Sequence, residues 1–375
     1  MSELVLLAAG GTGGHLFPAE ALAGVLSARG LTVDLATDAR AAHYAGHFPA
    51  RELHVLPADT VRGRSAASLA RTGIALVSGL VSGLALMRRV KPACVVGFGG
   101  YPTVPPLLAA SICGVPSAIH EANGVMGRAN RMLARRVAAI ATGFPGLCRT
   151  DPMLDAKAVW TGNPLRPAAV AAAAIPYDPP VPGGPLKLLV FGGSQGARVM
   201  SDVVPDAVAR LGADLRARLD IVQQAREEDA ARVTAAYAAL GVRAEIRTFF
   251  DDLPARMAAS HLVVSRSGAG TVAELSAIGR PAILVPLPHA LDQDQAANAR
   301  TLADAGGAKV LRQVEFEPER LALEIHTFAD EPNALTQMAD KAKSQGLLDA
   351  AERLGDLVQH LAGGGTVKTF KGMRA

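Results

Sequence analysis

Short apolar runs alternate along the chain with longer stretches whose apolar positions recur at helical spacing. The runs at 4–9 (LVLLAA), 32–36, 93–97, 117–120 and 138–141, then at 186–191 (LKLLVF), 220–223, 244–248, 262–265, 282–286 and 308–311, predict strands. Strands alternating with helices predict parallel sheets joined by right-handed crossovers. The first run ends in Gly10-Gly11-Thr12-Gly13-Gly14 and the run at 186–191 in Gly192-Gly193-Ser194-Gln195-Gly196; a helix follows each, closed by Gly30 and by Gly212 at the same interval. This repetition predicts an α/β protein built of two Rossmann-like parallel-sheet domains facing a cleft. Residues 161–167 and the Pro- and Gly-rich 176–185 lack helical or strand character and place the boundary there. The expected domains are 1–163 and 164–345. In the tail, 346–375, Leu347, Leu348, Ala351, Leu354, Leu357, Val358 and Leu361 stand at helical spacing, predicting an amphipathic helix that docks on one of the domains and ends at 363–365.

Composition narrows the class. The 375 residues exceed what one core usually supports, and with 50% hydrophobic, 4% aromatic and 19% charged residues the apolar content is mostly small aliphatic, as in sheets covered by Ala-rich helices. A net charge of +4 suits an anionic ligand or membrane surface; no nucleic-acid motif is present, and no nucleic-acid partner is expected. Cys94, Cys113 and Cys148 are odd in number and lack metal-ligand spacing, which predicts three buried thiols in a reduced, cytoplasmic setting. The N-terminus has no basic leader and runs straight into the glycine loop, as a first strand would. The longest apolar run, 74–87, is shorter than the ~20 residues a spanning helix needs. Its Ile74, Leu76, Val77, Leu80, Val81, Leu84 and Leu86, flanked by Arg62, Arg64, Arg71, Arg88 and Arg89, fit either an anionic lipid surface or a buried helix with a basic rim.

Chemistry is expected in the loops after the strands. Residues 194–198 turn from strand into helix, where amides and the helix dipole favour a diphosphate. No G-x-x-x-x-G-K-[ST] loop is present, and Asp34 and Asp38 are weak candidates for the ribose carboxylate of a dinucleotide site. His15 follows the first glycine loop in a helix expected to be opened by Pro18; a neutral imidazole there accepts a proton, whereas most lone histidines are structural. In SRSGAGTVAE, at 265–274, Glu274 is expected on the first helical turn, either as a dipole-favoured carboxylate or as a ligand for ribose hydroxyls. Asp292, Gln293 and Asp294 imitate a metal-binding D-x-D but are explained as helix caps, leaving Gln295 as the donor-sugar ligand. His120, Glu121 and Asn123 follow another strand end and are candidates to orient sugar hydroxyls; Asn163 and Arg166 lie in the linker, with Arg166 in reach of a diphosphate. Asp251 and Asp252 are expected to cap the helix that starts at Leu253.

Six motifs in order, GGTGGHLFPA at 10–19, GGYPTVPP at 99–106, HEANGVMG at 120–127, TGNPLR at 161–166, GGSQGAR at 192–198 and SGAGTVAE at 267–274, resemble the MurG family of bacterial peptidoglycan glycosyltransferases over nearly the whole chain. The resemblance implies a GT-B fold, an N-terminal acceptor domain and a C-terminal domain for UDP-N-acetylglucosamine, with undecaprenyl-diphosphate-linked N-acetylmuramoyl-pentapeptide as acceptor at the cytoplasmic face of the inner membrane. It also implies that Thr12, Gly13, Gly14, Asn123, Arg166, Ser194, Phe250, Ala269, Gly270, Thr271, Val272, Ala273, Glu274 and Gln295 line the donor site. The chain departs from the family in having Ala122 in HEAN, Ser201 after GGSQGAR, and a differently spaced D-Q-D-Q segment. The expected reaction is a single in-line displacement with inversion, His15 as base and backbone amides meeting the leaving diphosphate, with no metal and no cofactor. Rival readings are another lipid-acceptor transferase of this architecture, a UDP-sugar epimerase, and a non-catalytic nucleotide-binding module.

Overall fold

A computed structural model of the chain describes residues 3–10, 13–39, 48–57, 66–193, 196–288 and 294–374, the side chains of 66–75 and 374 excepted. Two compact units result: residues 1–166 with 348–375, and residues 167–347. The first carries a seven-stranded, wholly parallel sheet in the order β3-β2-β1-β4-β5-β6-β7. Its strands are β1 (Leu4–Ala8), β2 (Thr32–Thr37), β3 (Leu53–Val55), β4 (Cys94–Gly97), β5 (Ser117–Glu121), β6 (Ala139–Thr142) and β7 (Ala158–Trp160). Val5 and Leu7 join a core on one face and Leu6 and Ala8 a core on the other, so β1 is apolar at every position rather than at alternate ones. The edge strands β3 and β7 are additions to the expected set.

The helix Gly13–Ala28 begins ahead of Pro18, which lies inside it instead of opening it. A first turn needs no intrahelical acceptors for its amides, so a glycine pair suffices to start it. Gly30 closes the chain in the left-handed region at φ 82, as expected, but Gly212 does not mirror it: the helix Arg198–Ala209 ends at Arg210, and Gly212, with φ −60, opens the next helix. The tail helix is Ala350–Ala362, and its Leu354, Leu357, Val358 and Leu361 are buried with Leu22 and Leu26 of the first unit. Leu347 and Leu348 precede that helix, and a further helix, Val367–Arg374, follows it. Cys94 and Cys148 are buried; Cys113 is exposed, because it sits at the C-cap of the helix Val104–Ile112, past its last buried turn.

The second unit has a six-stranded parallel sheet, β10-β9-β8-β11-β12-β13, made of β8 (Leu186–Phe191), β9 (Leu219–Gln224), β10 (Arg243–Arg247), β11 (Leu262–Ser265), β12 (Ala282–Leu284) and β13 (Ala308–Val310). Arg280 is fully buried in this unit and donates to the carbonyls of Ala258, Ile278, Gly279, Ile175 and Pro176, fastening the irregular 173–185 segment to the helix Leu253–Ala259. Asp252 precedes that helix without capping it: its carboxylate takes Arg256 Nε at 2.7 Å, a charged donor that outcompetes a backbone amide.

Candidate active site

Both sheets reverse their strand order beside the first strand of the unit, between β1 and β4 and between β8 and β11. Loops leaving the carboxyl ends of such strands diverge and leave room for a ligand. At the first switch point stand the turn after β1, with His15, and Gly99 and Gly100 after β4. A Cβ on Gly99 (φ 86) would lie 3.3 Å from His15 Nε2 and Cδ2, so a residue without a side chain lets the imidazole approach the β4 loop.

His15 is half-buried in the first helical turn, and its Nδ1 lies 3.1 Å from the Gly10 carbonyl. A carbonyl only accepts, so Nδ1 carries the proton and Nε2 of the neutral ring keeps its lone pair. Burial lowers the His15 pKa below 6.5, outweighing the Gly10 hydrogen bond and the Glu121 charge, which act the other way. His120, on β5, is buried; its Nε2 faces the Gly162 carbonyl at 3.1 Å, its Nδ1 finds no hydrogen-bond partner among the described residues, and burial pushes its pKa down to about 4.

Glu121 is buried and fully occupied. Its Oε1 accepts from the Asn123 amide at 3.0 Å and from Asn123 Nδ2 at 3.2 Å, and its Oε2 from Gly127 N at 2.9 Å and Asn130 Nδ2 at 2.8 Å. It shapes the 121–127 loop instead of facing a sugar, and Asn163 Nδ2 ties that loop to the 161–166 segment through the Ala122 carbonyl at 2.9 Å. Arg166 lies half-buried with its guanidinium over the exposed Phe17 ring. Asp34 is unavailable to a ribose: Arg51 grips it at 2.9 and 2.7 Å and His54 at 2.9 Å, and although burial pushes its pKa up, these hydrogen bonds and charges hold it below the ordinary value.

At the second switch point the turn after β8 is dictated by backbone. A Cβ on Gly192 would fall 2.1 Å from Ala197 N, and Gly193 and Gly196 have φ of 90 and 66. Gln224 Oε1 receives the Gly192 amide at 3.0 Å. The helix Ala269–Ile278 starts with its amides toward the same end of the sheet. Ala269 and Val272 are buried, Thr271 and Ala273 half-buried and Gly270 exposed; Glu274 is buried on the second turn, one turn later than expected because the helix starts at Ala269. Gln295 occupies the first turn of the helix Asp294–Asp304, and its Oε1 takes the Leu287 amide at 3.1 Å. Phe250 is buried with the Arg256 guanidinium 4.5 Å above its ring. Two residues that the sequence did not mark organise this end. Arg266 donates to the carbonyls of Val285 and Pro286 and to Gln313, and Asn298 Nδ2 donates to the Ser267 carbonyl.

Thr12, Ser194, Gln195, Asp292, Gln293, Arg62 and Arg64 lie outside the described residues, as do the side chains of Arg71 and Ile74. In the helix Ala66–Val90, Leu86 and Met87 are buried and Leu76, Leu80 and Leu84 pack on the same core, whereas Val77 and Val81 are 64% and 62% exposed on the other side. Arg88 is exposed, and Arg89 contacts Glu52 and His54. No helix among the described residues is long and apolar enough to cross a membrane.

Two doubly wound parallel-sheet units, with glycine turns at both switch points, define a GT-B glycosyltransferase fold. Residues 5–142 match the glycosyltransferase family 28 N-terminal domain and residues 187–354 its C-terminal domain, and the chain belongs to that family. Within it, the chain is similar to a UDP-N-acetylglucosamine--N-acetylmuramyl-(pentapeptide) pyrophosphoryl-undecaprenol N-acetylglucosamine transferase of Rhodopseudomonas palustris, 61% identical and covering 96% of this chain and 99% of that one. The same-named protein of Nitrobacter hamburgensis is 59% identical over 96% and 98%. The crystal structure of Acinetobacter baumannii MurG superposes with a TM-score of 0.78 at 30% identity, covering 96% and 99%. The UDP-bound S. aureus MnaA shares the fold alone, at a TM-score of 0.69 and 15% identity, covering 96% of each chain.

Proposed function

We propose that this chain transfers N-acetylglucosamine, with inversion, from UDP-N-acetylglucosamine to the 4-hydroxyl of undecaprenyl-diphosphate-linked N-acetylmuramoyl-pentapeptide, a step of peptidoglycan synthesis. The observation that carries the reading is that relatives 58 to 61% identical over 96% of the chain bear one transferase name. His15 Nε2 takes the proton of the attacking hydroxyl, the new glycosidic bond forms at the anomeric carbon, and the bond to the diphosphate breaks as UDP departs. The 192–197 turn and Arg166 meet the charge on the leaving diphosphate, with Thr12, Gly13, Gly14, Asn123 and Ser194 in supporting roles. Glu274 holds the ribose; Phe250, the 269–273 turn and Gln295 hold the base and donor sugar. Residues 1–163 serve the acceptor and 164–345 the donor.

The acceptor's lipid puts the enzyme at the cytoplasmic face of the inner membrane, where we place exposed Val77 and Val81 with Arg88 against anionic lipid. Val77→Ser with Val81→Ser should lower flotation with anionic vesicles, and unchanged flotation would remove this surface from the reading. The function is tested by following labelled N-acetylglucosamine into lipid, with the muramoyl acceptor, with diacylglycerol, and with no acceptor. Label should enter only the muramoyl lipid; transfer to diacylglycerol, or conversion of the nucleotide sugar alone, overturns the proposal in favour of another lipid transferase or an epimerase.

A further inference from the structure

Glu121, Thr142 and Trp160 form one row across the carboxyl ends of β5, β6 and β7, since Glu121 pairs in register with Thr142 and Thr142 with Trp160. Neighbouring strands lie about 4.8 Å apart, so the backbones of Trp160 and Glu121, whose carboxylate shapes the 121–127 loop, stand roughly 10 Å apart. A cavity of about 270 Å³ opens beside it, lined by Thr142, Leu147, Cys148, Arg149, Asp155 and Trp160 among others. Trp160 is the chain's single tryptophan, 46% exposed, with its indole N–H directed to the Gly143 carbonyl at 3.4 Å. Arg149 lies across Gly146, where a Cβ would meet its Nε at 3.0 Å. Among the described residues neither Arg149 nor Asp155 makes an ion pair, although both line the cavity and are exposed, and Lys371 reaches only the Asp155 backbone carbonyl.

Two unspent charges of opposite sign beside an indole face do not suit a phosphate, which Asp155 would repel, or a lipid tail, which needs neither charge. They suit a ligand that carries carboxylate and ammonium groups along a chain with apolar patches between them, which is the chemistry of a short peptide. We infer that this cavity is a subsite for the peptide of the acceptor, with Arg149 taking a carboxylate, Asp155 a cationic group, and the Trp160 ring the aliphatic surface. The inference rests on the proposed function for its statement that the acceptor carries a peptide.

Because Trp160 is the only tryptophan, its emission reports on this cavity without a label. Titration with soluble N-acetylmuramoyl-pentapeptide, which lacks the diphosphate and lipid, should give a saturable change in emission, and peptide-free N-acetylmuramic acid should give none. Arg149→Ala and Asp155→Asn change exposed side chains and should raise the dissociation constant roughly threefold to tenfold. In turnover both should raise KM for the lipid-linked acceptor and leave KM for UDP-N-acetylglucosamine unchanged. No saturable change, an equal response to the peptide-free sugar, or unaltered binding in both variants would overturn the subsite. The titration needs no turnover, so an inactive wild-type chain would count against the proposed reaction and not against peptide binding.

Discussion

The guanidinium carbon of Arg166 lies 4.9 Å from the centroid of the Phe17 ring, which is 42% exposed on the helix that also carries His15. A Cβ on Gly13 would come within 2.9 Å of the same ring, so the glycine clears the space that the platform occupies. Stacking on a ring face fixes the plane in which the Arg166 N–H groups point. If Arg166 serves the departing diphosphate, Phe17→Leu should lower kcat about twofold to fivefold, the equivalent of ~0.5–1 kcal/mol for an exposed cation–π contact. Phe17→Tyr should keep the rate, and neither should move the melting temperature. Equal losses in both variants would show that the ring acts otherwise.

Glu274 is buried on the second turn of its helix, so the dipole of the first turn does not account for a carboxylate there. As a ribose ligand it should contribute roughly 1.5 to 3 kcal/mol through charge-assisted hydrogen bonds, and Glu274→Ala should weaken UDP binding by about tenfold or more. Calorimetry on the folded variant decides; unchanged affinity removes Glu274 from the donor site.

What could be read from the sequence follows burial. β1 and β8 are buried along nearly all their length and glycines follow them in the sequence, so an apolar run and a turn signal coincide. β3 and β7 have three residues each, and Leu53, Val55 and Trp160 are exposed, so neither produces a run. Candidates for the site, such as His15 and Glu274, stand out in the sequence where a strand end, a glycine turn and a polar side chain are contiguous. Arg266 and Asn298 escaped notice because their partners, Val285, Gln313 and Ser267, are distant in sequence. Glu121 was seen, but its work was not: four hydrogen bonds to its own loop and the following helix cannot be inferred from the letters HEAN.

His120 gives the first unit an acid sensitivity of definite sign. Its folded pKa, about 4, lies below the ordinary 6.5, because burial penalises the imidazolium. Between those values the unfolded chain binds more protons than the folded one, so this stability is full above pH 6.5 and is lost as pH falls toward 4. The whole span is worth roughly 3 kcal/mol. The melting temperature of the wild type should therefore fall across this window, and His120→Asn should flatten that slope even if it lowers stability at pH 7. An unaltered slope in the variant would assign the acid response to other groups.

His15 should matter to turnover more than to donor binding. Its Nε2 keeps a lone pair because Nδ1 donates to the Gly10 carbonyl, and burial holds its pKa below 6.5, so the imidazole stays neutral to lower pH than a solvated histidine would. The midpoint of the acidic limb of the transfer rate should therefore lie below pH 6.5. General-base catalysis is worth about 10² to 10⁴ in rate, which sets the loss expected for His15→Ala. The fall should appear in kcat, with UDP affinity and melting temperature little changed, and the acidic limb should vanish from what activity remains. A limb that persists while the rate drops would leave His15 an orienting role and give the proton to another group. A loss of UDP binding as large as the loss of rate would make it a ligand, and near-normal turnover would end its candidacy as the base.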